Sequence, residues 1–261
     1  QEVAGDQYAF DSNKGIKGIG TEGGVAAEDN SVVKIRNTVV SNNTAQKGAG
    51  LSSYGGSSIL IDRSVIINNS AATSAGAFYC YEGATISVTQ STITNNSLPE
   101  IAFAEEPSLS NQFSMEYSNF AGVVDSVLQF ENDIVTWGLG NINVDPKFID
   151  LENNNYHILA SSQLVNAGHP DSLDGDGTRA DIGAFPYLNS YSGPDWFISG
   201  NGNDLNATGS LENPFSSIQS GINFAINGDS IAVAAGTYTE NINMRSKVVK
   251  LVGEDLSNTI I

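Results

Sequence analysis

A segment of this chain repeats itself about every 26 residues, and that constrains its folding more than any other feature. Residues 37–44 (NTVVSNNT), 64–70 (SVIINNS) and 91–97 (STITNNS) carry the same motif, with Asn pairs at Asn42/Asn43, Asn68/Asn69 and Asn95/Asn96. Gly24, Gly50 and Gly76 repeat at the same interval, and the run Val33-Lys34-Ile35 recurs as Ile59-Leu60-Ile61 and Ile86-Ser87-Val88. A unit of this size cannot bury its own apolar face, so copies must stack. The runs are short, alternate with period two, and are punctuated by Gly, Asn and Ser, which selects strands over helices.

The expectation is an all-β, right-handed parallel β-helix solenoid with coils of about 26 residues over 20–130. Each coil advances the stack by ~4.8 Å, one strand spacing. Equivalent Asn residues then lie above one another and can hydrogen-bond as a ladder. The ladder falls on Asn42/Asn68/Asn95 or on their neighbours Asn43/Asn69/Asn96. The first set also matches the glycan acceptor pattern N-x-[ST], as does Asn206. The spacing tracks the coil, which a ladder requires and a glycan does not. In the same register Arg36 meets Asp62 one coil above, which predicts a stacked surface ion pair worth at most ~1 kcal/mol.

The second half differs in character. Asn213 followed by Pro214 predicts a helix start, and Ile218, Ile222 and Ile226 fall on one face of a short capping helix near 214–227. Strands are expected at 230–234, 238–244 and 248–252.

Residues 213–242 (NPFSSIQSGINFAINGDSIAVAAGTYTENI) resemble the opening of right-handed parallel β-helix domains of the pectin-lyase-like superfamily, where a short helix plugs the coil and a G-T-Y-x-E motif begins the first turns. Residues 145–148 (DPKF) through 181–185 (DIGAF) are similar to the closing segment of such a domain. The resemblance implies large bacterial surface or secreted proteins with tandem β-helices and a C-terminal sorting or anchoring domain. It is specific for fold and not for activity. The order is inverted, with the end of one β-helix (1–192) preceding the start of another (193–261). Both ends of the chain read as cut from something longer. Either the chain samples a tandem array, or its final coils are completed by a neighbour. The expected assembly edge is Val248, Val249, Leu251, Ile260 and Ile261, since bare strand edges invite pairing.

The chemistry expected from the sequence is sparse. The R-x-P-x-x-R run of the lyases is missing, as are the paired Asp, G-H-G and R-I-K signatures of the hydrolases, so no catalytic residue is assigned. His157 and His169 have no partner motif. Glu28-Asp29 and Glu105-Glu106 read as solvated turns, and Cys80 as a small buried residue. The net charge of −18, from 29 acidic and 11 basic residues, argues against nucleic-acid and anionic-membrane partners. No apolar run reaches the ~18 residues that a membrane helix needs.

Asp171, Asp174, Asp176 and Asp181 surround two glycines in DSLDGDGTRAD. Such oxygen-rich loops can wrap Ca²⁺, and they also serve as Asx-rich turns. Asn201, Asn203, Asp204 and Asn206 form a weaker candidate. Tyr54, Tyr79 and Tyr81 could offer a sugar-stacking face. The leading expectation is a structural or adhesive extracellular protein, self-associating head to tail on or outside the cell. The alternatives are a carbohydrate-active enzyme of lyase or epimerase type and a polysaccharide-binding module.

Overall fold

The structure is a computed structural model that describes residues 8–11 (backbone), 23–105, 108–120, 126–255 and 257–261. Glu106 and the parts of the expected 20–130 core at 20–22, 106–107 and 121–125 lie outside the described residues. The chain divides into two compact units: residues up to Val144 with Ile182–Ala184, and 145–181 with 185–261.

The first unit is a parallel β-solenoid. One sheet stacks Val32–Arg36, Ser58–Asp62, Thr85–Thr89, Gln112–Glu116 and Ile134–Trp137 in parallel. Its register pairs Val33 with Ile59, Ile86, Phe113 and Val135, and Ile35 with Ile61, Val88 and Met115. These two rows point into the core, while Lys34, Leu60 and Ser87 alternate outward, as a period-two strand requires. A second sheet aligns Val40, Ile66, Ile93 and Phe120. A third aligns Val25, Leu51, Phe78, Ile101 and Val127. Together the three inner faces make one continuous apolar cluster. Cys80 sits fully buried in the third sheet, paired in register with Ser53 and Phe103, and burial pushes its thiol well above the usual range. The expected ion pair is present, with Arg36 Nε 2.8 Å from Asp62 Oδ2.

The corners explain the Asn pairs. Asn42, Asn68 and Asn95 adopt left-handed backbone, at φ 57°, 56° and 57°, a conformation Asn tolerates better than most residues. The ladder is carried by the second member of each pair. Asn43 Nδ2 donates to Asn69 Oδ1 at 2.9 Å, and Asn69 Nδ2 donates to Asn96 Oδ1 at 2.9 Å. Asn96 Nδ2 in turn donates to the Glu100 carboxyl. The backbone N–H of Asn43 and of Asn69 donates to the same oxygens.

A second ladder, which the repeat analysis missed, runs up another corner. The backbone N–H of Thr38, Ser64 and Ser91 donates to the hydroxyls of Ser64, Ser91 and Ser118, and Ser118 N–H donates to Asn141 Oδ1. Each follows a left-handed residue: Asn37, Arg63, Gln90, Tyr117 and Gly140. Its signal in the sequence is a small hydroxyl residue recurring at the coil interval.

The second unit holds the one helix among the described residues, Ile218–Phe224. A parallel sheet orders Asp195–Ile198, Ser230–Val233 and Lys250–Gly253. Gly236–Thr237 pairs with Thr259–Ile260 in parallel, and Phe148–Asp150 pairs with Asn155–Ile158 in antiparallel. Several expectations change here. Ser217, not Asn213, is the N-cap, and its hydroxyl accepts from Ser220 N–H. Ile218 and Ile222 are buried as expected, but Ile226 lies beyond the helix and is exposed. Residues 238–244 form no strand. Glu240 and Asn243 instead hydrogen-bond to the helix. Residues 145–181 and 185–261, on both sides of position 192, belong to this one compact unit.

Candidate functional site

The closing segment and the helix of the second unit are stitched by buried polar groups. Glu240 accepts from the first free N–H groups of the helix, Ile218 at 2.8 Å and Gln219 at 3.0 Å. A carboxylate there satisfies orphan donors and complements the helix dipole. Asp204 accepts from Ser216 N–H, Ser217 N–H and the Ser220 hydroxyl. At the other end Lys247 donates to the Ile222 and Asn223 carbonyls. Burial, with the Arg245 and Arg179 charges adding to it, lowers the Lys247 ammonium to about 7. Asn223 donates to the Ala160 and Ser162 carbonyls, and Arg245 donates to those of Val165 and Asn166. Of these five residues, the sequence pointed to Asp204 only as part of the weaker oxygen-rich loop and to Glu240 only through the G-T-Y-x-E pattern; it singled out none of Asn223, Arg245 and Lys247.

The acidic loop folds as a set of backbone caps. Asp174 accepts from Asp181 N–H, and Asp176 accepts from Thr178 N–H, the Thr178 hydroxyl and Asn189 N–H. Asp181 is buried and accepts from Asn166 and Tyr187 N–H. Burial pushes its carboxyl up to about 8 against those two hydrogen bonds. Asp171 is exposed, with its backbone N–H on His169 Nδ1. Among the described residues no group of three or more His, Cys, Asp or Glu is arranged to hold a metal ion. A calcium ion would therefore compete with N–H donors for Asp174, Asp176 and Asp181. In the second loop Asn203 accepts from Leu205 N–H, Asp204 serves the helix, and Asn206 is exposed.

The tyrosines do come together. Tyr54 lies 6.1 Å from Tyr79 and 6.3 Å from Tyr81 between ring centres, and Lys47 Nζ approaches the Tyr79 hydroxyl at 3.2 Å. They pack around Ala75 and Ala102, with Tyr79 buried and the other two half-buried.

Two features of the second unit stand open. The strand Lys250–Gly253 is the outer member of its sheet, and in register Leu251 continues the buried row of Trp196 and Ile231. Trp196 is 2% exposed and Ile231 0%, but Leu251 is 38% exposed. Val248, Ile260 and Ile261 are more exposed still, and Val249 is half-buried. The second feature is a cleft of about 1030 Å³. Its lining includes Trp196 and Phe224, whose rings stack at 5.8 Å, together with Tyr187 and Tyr191. Nothing in the repeat pattern pointed to it. The available signal was the density of aromatic residues between 185 and 224.

No protein-family model matches the chain, and no curated protein or solved structure is detectably similar to it. No helix among the described residues is long and apolar enough to cross a membrane.

Proposed function

We propose that this chain is a structural and adhesive segment of an extracellular surface protein, built from β-solenoids and continued end to end by strand pairing. The observation that carries this reading is the uncovered Leu251, the last residue of an otherwise buried row on an edge strand. An apolar row that stops at an open edge is completed when another coil supplies the next residue. The contact is heterologous and does not close, so repeated use gives a filament. The pectin-lyase-like resemblance of residues 213–242 supports the same reading.

The work is mechanical rather than catalytic. Four buried groups with displaced proton affinities, Glu100, Asp181, Arg245 and Lys247, are engaged in internal hydrogen bonds. Sedimentation velocity over a concentration series tests the assembly. Growing species that persist in 1 M salt are expected, because backbone pairing and apolar burial are not screened as ion pairs are. A single monomer boundary at every concentration would contradict end-to-end pairing.

A further inference from the structure

Strand pairing at the edge leaves the aromatic cleft of the second unit without a role. Its volume of about 1030 Å³ is that of a small-molecule or oligomer site, commonly ~300–1,000 Å³. The Tyr187 and Tyr191 hydroxyls donate to the Ala207 and Asp195 carbonyls, both at 2.7 Å. Those bonds, with ring contacts of Tyr187 to Phe224 at 5.5 Å and of Tyr191 to Trp196 at 5.2 Å, hold the two rings in place along the cleft. Binding against them therefore loses little side-chain entropy. Exposed Ser190, Ser192 and Asn206 line the same cleft and offer hydroxyl and amide groups. The charged groups of the lining are Asp176 and Asp229, and no lysine or arginine is among its described residues.

Rigid ring faces beside neutral hydroxyl and amide groups match a pyranose, which has an apolar CH face and a rim of hydroxyls. The two carboxylates, in a chain of net charge −18, repel a polyanion. We propose that this cleft binds a neutral polysaccharide and discriminates against uronate polymers. The site is separate from the tyrosine trio of the first unit and independent of end-to-end assembly.

The test is native gel electrophoresis of the full chain through gels containing hydroxyethylcellulose, arabinoxylan, galactomannan or polygalacturonate. At least one neutral polymer should retard the protein, and polygalacturonate should not. Tyr191→Ala should weaken the retardation at least tenfold. Ser190→Trp, which fills the cleft from an exposed position, should do the same should Tyr191→Ala fail to fold. Tyr54→Ala should change nothing. The proposal is overturned by free migration in all three neutral gels, by equal retardation in polygalacturonate, by retardation that survives the cleft variants, or by its loss in Tyr54→Ala. Sizing of the same samples reads assembly separately, so either idea can fail alone.

Discussion

At each Asn pair, adjacent side chains do different work. Asn69 is buried, accepts from Asn43 through both its backbone N–H and Nδ2, and donates to Asn96 Oδ1 and the Val40 carbonyl. Removing its amide leaves several buried groups unpaired, which costs about 2–4 kcal/mol. Asn68 only needs to sit at positive φ, so Ala there costs about 1 kcal/mol. Denaturant midpoints of Asn69→Ala and Asn68→Ala should therefore differ widely, with the first much lower. Glu100 closes this ladder, and burial pushes its carboxyl up to about 7 while the Asn96 hydrogen bond lowers it. Its folded value lies above its unfolded one, so its contribution is fully present below about pH 4.5 and is lost as pH rises through about 7. Asp181 acts in the same direction up to about 8. Melting temperature should fall from pH 5 to 7. Glu100→Gln, which keeps the acceptor for Asn96, should flatten that fall and stabilise the protein at neutral pH by on the order of 2 kcal/mol.

Among the elements, the coils and the short helix within 214–227 were legible from sequence, and the strand expected at 238–244 was not there to find. Coils announce themselves because Val33, Ile59, Ile86 and Phe113 must all face one core at one interval. The Ser ladder obeys the same interval, yet Ser is common enough in turns to hide it. The helix start was misplaced for a physical reason. Asn213-Pro214 has the composition of a helix start, but Glu240 and Asp204, distant in sequence, satisfy the donors at 216–219 and set the cap at Ser217. The cleft was illegible because its aromatic residues come from segments with no common period. Glu240 gives a test at this scale. Glu240→Ala should lower stability by roughly 1–2 kcal/mol, and amide exchange should speed up first at Ile218 and Gln219. Unchanged exchange there would remove Glu240 from the capping role.

For the whole molecule, the central claim is that the strand Lys250–Gly253 is an edge meant to be paired. Lys250 and Glu254 N–H groups donate to Asp229 and Val233 carbonyls. Alternation along a parallel strand then turns the Leu251 and Gly253 N–H groups to the open side. Hydrogen exchange at those two amides, followed as protein concentration rises, measures the claim directly. The account predicts slowing at Leu251 and Gly253 with concentration, abolished by Leu251→Asp while the ladder amides of Asn43 and Asn69 stay protected. Fast exchange at both amides at every concentration would contradict it.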